Sequence, residues 1–426
     1  MGFLTVFGIE IDHCVRTEST TMSNQVATVR NYDPFTPEAM ADPNAFLHRI
    51  RAESPLAWLP RLDAYLLTRH ADVTAALRDK RMETANMSRV LQRLTPAEQE
   101  ELALVRRSIE MWMGHTVPAD HVRFQRLLKR YFTPAMVDRL RPRVREFTHE
   151  LLDAVAAKGQ MDVVRDLAYP LPSNVIAEML GMPVSDREQL QAWSRDIRGV
   201  FGNGDLQQLR EAQRSMIEMH DYLRLIAADR RRAPRDDVLS TFMAAEAEGI
   251  VTEDEAVANC VLLLFAGHET TANLITNGLV LLFEHPDQLL RLRQNPGLSP
   301  LAVEEMLRCD GPAGVIGRVT MEPVELAGHP VPAGKHIYLA LMAANRDPEV
   351  FPDPDVFDIG RERSRVLSFG MGTYYCLGAA LARMETDECL RILLDRFPRL
   401  RPAYRAPDWQ PTLPIGHRLE TLPVAF

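Results

Sequence analysis

The sequence predicts a mainly α, α+β protein, helix-rich and carrying small peripheral β-sheets. Three observations support this. Apolar residues recur at helical spacing along most of the chain, and Pro and Gly punctuate them. Alternating, strand-like runs are few and short. No repeat or low-complexity linker divides the chain, so residues 22–426 read as one domain, and residues 1–21, ahead of Met22, as a loosely ordered extension.

In order along the chain, Leu56–Trp58 and Ala64–Leu67 form an expected hairpin around Pro60-Arg61-Leu62-Asp63. Helices are expected near 70–79, 119–131, 134–158, 170–180, 185–198, 205–231, 236–247, 253–284, 286–294, 299–308 and 377–396. The helix at 253 opens with a capping box, Thr252-x-x-Glu255. Extended pieces are expected near 317–326 and 335–342, with Pro-rich loops over 347–361 and 402–414. Residues 81–118 look irregular. Their Met82, Met87, Met111, Trp112 and Met113 suit either core filling or a loop over an apolar pocket.

Composition narrows the function. Of 426 residues, 46% are hydrophobic and 25% charged, as in a globular protein with a large core. A net charge of −9 argues against a nucleic-acid partner. The five cysteines lack C-x-x-C spacing, which suits a reducing, cytoplasmic setting. The apolar stretch at the N-terminus is too short for a membrane span. The run at 257–283 contains Asn259, His268, Glu269, Asn273 and Asn277 and reads as a buried helix, so no membrane association is expected.

The most informative segment is Phe369-Gly370-Met371-Gly372-Thr373-Tyr374-Tyr375-Cys376-Leu377-Gly378. A cysteine entering a helix N-terminus meets free N–H groups and a dipole that favour a thiolate. Gly370 and Gly372 allow a tight turn beside the sulfur, Gly378 leaves room for a flat ligand, and Phe369 would shield the sulfur from water. A buried inert cysteine would not account for three glycines and a phenylalanine at these offsets. This segment closely resembles the haem-binding signature of the cytochrome P-450 family, F-G-x-G-x-H/R-x-C-x-G. The resemblance runs from about residue 30 to the C-terminus.

The resemblance implies the cytochrome P-450 fold, haem b (iron protoporphyrin IX) as cofactor, and Cys376 as the iron ligand. It also implies a buried triad of Glu305, Arg308 and Arg361 behind the haem; Ala343–Pro348 matches a further stretch common in bacterial members. Ala266-Gly267-His268-Glu269-Thr270 matches the family's oxygen-activation motif. The small Ala266 and Gly267 would let the helix approach the haem, since glycine inside a helix costs about 1 kcal/mol and calls for a reason. Thr270 would donate its hydroxyl toward O2, and Glu269 would relay protons from water. Taken without the resemblance, Thr270 could equally bond back to a helix carbonyl. His268 occupies a variable position and receives no role.

The family's pattern is broken at the haem propionates. His121 and Arg318 are present, but Gln125 and Tyr374 stand where a cation is usual. Tyr374 is expected to offer its phenol in place of the histidine. A substrate pocket is expected around Leu263, Ala313, Val315, Ile316 and Ile415, mostly apolar and suited to a polyketide, terpenoid or fatty acyl compound. The resemblance implies electrons from an external ferredoxin, docked at Arg123, Arg126, Lys129, Arg130, Arg139, Arg141, Arg143 and Arg145; a solvated basic helix would carry the same residues. Three functions stay open: a ferredoxin-fed monooxygenase performing hydroxylation, epoxidation or coupling; a peroxide-using haem-thiolate enzyme; and a haem-free partner protein. Glu269-Thr270 counts against the second, and Cys376 against the third.

Overall fold

The computed structural model describes residues 29–84, 94–201, 205–362, 365–411 and 416–426. Met87 and Ile415, and the extension at 1–21, lie outside them. The helix Glu253–Glu284 runs through the middle of the molecule, and its expected capping box is formed by Thr252 and Glu255. Most of its residues are buried because it packs on Pro170–Leu180, Ser299–Asp310 and Ala379–Arg396, as well as Leu206–Arg232 and Val238–Ala247. An all-round apolar helix needs partners on every side. Each fully buried Leu or Phe in this core contributes about 1.5–3 kcal/mol.

A six-stranded sheet stands to one side, in the order Arg30–Asn31, Leu56–Leu59, Ala64–Leu67, His336–Ala340, Val315–Thr320, Met82–Thr84. The expected hairpin pairs Leu56 with Leu67 and Leu59 with Ala64. Smaller sheets join Gln160–Asp162 to Pro423–Ala425 and Arg401–Pro402, and Trp409–Pro411 to His417–Leu419.

Several expectations change. The region 81–118 contains the helices Pro96–Glu101 and Ala103–Glu110, the first held by a Thr95–Glu98 capping box. Met82, Trp112 and Met113 are core residues, so they fill gaps rather than line a loop. The extended piece at 335–342 ends at Ala340, where the short helix Leu341–Ala344 begins. The last long helix begins at Ala379, two residues later than expected, with Gly378 as its N-cap. Cys376 therefore stands three residues ahead of the first helical residue rather than one.

Candidate haem-thiolate site

The approach to Cys376 is built from backbone turns. Gly370 and Gly372 both have positive φ, at 68° and 75°, a region that glycine enters without strain. Gly372 is also sterically fixed, since a Cβ there would stand 2.8 Å from the Leu77 carbonyl oxygen. The Cys376 N–H donates to the Phe369 carbonyl (3.0 Å), which closes the loop. Phe369 is half-buried, with the Arg383 guanidinium 4.4 Å from its ring centre.

The Cys376 side chain is exposed to a cavity of about 640 Å³ lined by Gln125, Lys129, Phe132, Tyr375 and Leu377. Surrounding protein pushes its thiol up, while the Gly378 N–H and the Arg383 charge pull it down. Coordination to a metal reverses that balance, because a ligating thiol is deprotonated. A Cβ at Gly378 would meet nothing within 4 Å, so the space beside the cysteine is open there.

Two buried groups nearby fit an anionic cofactor. Arg318 is 3% exposed; among the described residues its side chain makes one hydrogen bond, to the Gly317 carbonyl, and no carboxylate lies within ion-pair distance. Burial pulls its guanidinium down to about 10, with Tyr374 opposing. A buried guanidinium without an anion is costly, so a propionate would complete it. His121 is also buried. Its Nδ1 bonds the Met113 carbonyl at 2.8 Å, and its Nε2 has no partner among the described residues. Since a carbonyl only accepts, Nδ1 carries the proton, and Nε2 can donate to an anion only as the imidazolium. An accessible cysteine sulfur, two buried nitrogen groups short of partners and open space beside Gly378 together fit haem.

Tyr374 lies between these two groups. Its ring centre is 4.6 Å from that of His121, and the Arg318 guanidinium is 5.3 Å from it. Its hydroxyl donates to the Thr116 carbonyl at 3.2 Å. The phenol expected to be free is thus engaged, and it is the ring of Tyr374 that meets His121 and Arg318.

On the central helix, Leu263, Ala266 and Thr270 share one face, and Ala266 and Thr270 are exposed there. The Thr270 hydroxyl donates to the Ala266 carbonyl at 3.0 Å, the helix back-bond weighed earlier. Gly267 serves a different contact from the one expected. A Cβ there would lie 3.1 Å from Ile176 Cγ1, so its smallness lets Pro170–Leu180 pack closely. Glu269 is 9% exposed. Its Oε1 lies 3.6 Å from Arg198, which also faces Glu420 at 3.4 Å. Arg198 had no signal in the sequence, lying 71 positions from Glu269. Val315 and Ile316 alternate along their strand and pack against different apolar clusters, so they do not share one pocket face. Ala313 is half-buried just before that strand.

Behind this region Glu305 sits between two arginines. Its carboxylate accepts from Arg308 Nε and Nη2, both at 2.8 Å, and from Arg361 Nε at 3.1 Å. Arg308 also donates to the Asn345, Pro354 and Val356 carbonyls.

Most of the basic run is tied internally. Arg123 pairs with Glu255, Arg141 and Arg145 with Glu388, and Arg143 with Glu178 and Glu146. Arg130 bonds Tyr131 and Thr241. Arg126 and Lys129 are exposed and have no carboxylate partner among the described residues, and Lys129 borders the cysteine cavity.

The cytochrome P450 family profile matches residues 81–296 and 298–409. The chain is 36% identical over 393 residues to the biotin biosynthesis cytochrome P450 of Bacillus subtilis (strain 168), covering 91% of this chain and 97% of that one. It is 38% identical over 396 residues to the cytochrome P450 monooxygenase PikC of Streptomyces venezuelae, covering 91% of each. The crystal structure of P450BioI in complex with an acyl carrier protein ligated to hexadec-9Z-enoic acid superposes with a TM-score of 0.83 at 34% identity. That match covers 91% of this chain and 99% of the other. With a profile spanning most of its length and relatives matched nearly end to end, this chain belongs to the cytochrome P450 family, a haem-containing monooxygenase by class.

Proposed function

We propose that this monooxygenase inserts one oxygen atom of O2 into an apolar small molecule of the polyketide or fatty acyl kind. The reading includes electrons from an external ferredoxin, a cytoplasmic setting and a single domain over residues 22–426. Haem supplies the oxidising chemistry when bound. Cys376 would ligate its iron, and Arg318 and His121 would hold its propionates, with Tyr374 packed between them. Thr270 would orient a donor hydroxyl on the exposed face of the central helix, and Glu269 would pass protons inward from the Arg198–Glu420 rim.

The observation that carries this reading is the exposed Cys376 at a cavity, together with a buried Arg318 that has no carboxylate partner among the described residues. The substrate class is supported by relatives whose names include biotin biosynthesis, polyketide biosynthesis and a myristic acid complex. Lys129, which borders the cysteine cavity, and Arg126, three residues before it in the chain, are exposed without a carboxylate partner among the described residues and suit an acidic electron donor.

The test is the carbon monoxide spectrum of the reduced protein, with Cys376→Ser alongside. The parent should show the thiolate-type band and the variant should lose it, because a hydroxyl is a much harder, weaker ligand. An unchanged band in Cys376→Ser would assign the iron to another residue. A library of apolar compounds, screened by the haem spin-state shift, then identifies the substrate class.

A further inference from the structure

Three buried polar groups lie on or against the central helix off its exposed Ala266–Thr270 stripe, with Glu269 on the flank and His268 farther round. Tyr169, His268 and Glu269 are 7%, 1% and 9% exposed. The Tyr169 hydroxyl, His268 Nε2 and Glu269 Oε2 are each without a hydrogen-bond partner among the described residues. The Tyr169 and His268 rings meet edge to face with centres 4.6 Å apart, and Glu269 is the next residue along the helix. Buried polar atoms in native proteins are satisfied by protein or by ordered water, and three in one place call for an explanation.

The donor and acceptor pattern supplies one. His268 Nδ1 lies 2.5 Å from the Leu264 carbonyl, which only accepts, so Nδ1 carries the proton. Burial pushes the imidazole down and holds it neutral, leaving a lone pair on Nε2. Burial likewise pushes the Tyr169 phenol up, so it stays protonated and donates. Glu269 Oε2 is an acceptor. A water molecule has two donors and one ready acceptor site, and these groups present two acceptors and one donor. Tyr169 is also set by an unusual backbone: the π-turn Val164–Ala168 ends in a Tyr169 N–H to Val164 carbonyl bond of 3.0 Å. Such turns inside helical segments often mark functional positions.

We infer that Tyr169 and His268 form a fixed water site behind Glu269, and that this water resupplies the proton Glu269 passes toward the haem. The inference rests on the reading of Glu269 as the proton relay. When Glu269 gives up a proton, the water donates one to Oε2 and regains one from solvent at the Arg198–Glu420 rim, so no net charge accumulates. Tyr169 and His268 do not titrate in this scheme; they orient the water.

The experiment compares the parent holoenzyme with Tyr169→Phe and Glu269→Gln, all supplied with reduced ferredoxin and O2 and no substrate. A high-resolution crystal structure of the parent should show an ordered water bonded to Tyr169, His268 and Glu269. Tyr169→Phe should keep its haem spectrum and thermal midpoint, lose that water, and consume O2 about fivefold more slowly, the factor one hydrogen bond is worth. The proposal is overturned if the parent lacks the water. It is overturned alone if Tyr169→Phe consumes O2 at the parental rate while Glu269→Gln slows it. Parental O2 consumption by Glu269→Gln would remove the reading of Glu269 and this proposal with it.

Discussion

Removing the Glu305 carboxylate should cost this protein its haem. Glu305 is 3% exposed at its side chain, and Arg308 is 0%. The carboxylate accepts from two N–H groups of Arg308, one of Arg361 and the backbone N–H of Asp358. Glu305→Ala strips the buried Arg308 of its one carboxylate partner among the described residues, and breaking such a pair typically costs about 3–5 kcal/mol. Set against a total stability of about 5–15 kcal/mol, that is a large fraction. Arg361→Ala should cost less, about 1.5–3 kcal/mol, because Glu305 keeps Arg308 and Arg361 itself is partly solvated. Arg308→Lys should fail nearly as badly as Glu305→Ala. All five guanidinium N–H groups are used here, and an ammonium has three donors and no planar fork. The assay is haem per protein after purification, followed by the thermal midpoint of haem release. Equal haem content in Glu305→Ala, Arg361→Ala and the parent would refute the reasoning.

Thr270→Ala should bind haem normally and raise the peroxide released per O2 consumed, since the hydroxyl is lost while the helix keeps its backbone bonds; an unchanged ratio would remove Thr270 from oxygen activation. Tyr374→Phe should hold haem at nearly the parental rate because the ring stays between His121 and Arg318, whereas Tyr374→Ala should release it faster. Equal release from both would mean that the hydroxyl is the working part. Arg126→Glu with Lys129→Glu should raise the apparent KM for ferredoxin about tenfold, equivalent to 1.4 kcal/mol, and weaken its dependence on salt. An unaltered KM would place the docking face elsewhere.

Helices are legible where a long apolar period coincides with a start signal, the capping Thr252 or the first-turn Pro170. The helices at 37–53 were missed although Thr36 and Asp42 cap them, because neither segment is long enough to show a clear period. The Thr95–Glu98 capping box was readable and was obscured by the scattered methionines that follow. The cysteine segment and the Glu305 motif could be recognised because their spacing is local. Pairings across the fold could not. Nothing near Arg141 or Arg145 indicates that Glu388, more than 240 positions away, neutralises both. Arg198, whose distance from Glu269 in the chain hides the contact, and the Tyr169 hydroxyl, without a partner among the described residues, belong to the same class.

The two small residues at 266 and 267 are adjacent in the chain and opposite in consequence for anyone redesigning this enzyme. Ala266 is exposed on the face it shares with Thr270, so bulk added there acts on the side where haem is expected and not on a helix–helix contact. At Gly267 even one methyl group presses on Ile176, and Ile176 belongs to a neighbouring helix that must then shift by a few tenths of an ångström. That helix also begins beside Tyr169, so a library randomised at 267 would vary the spacing of two helices and the setting of a remote phenol at once. Redesign of this helix is better served with glycine held at 267.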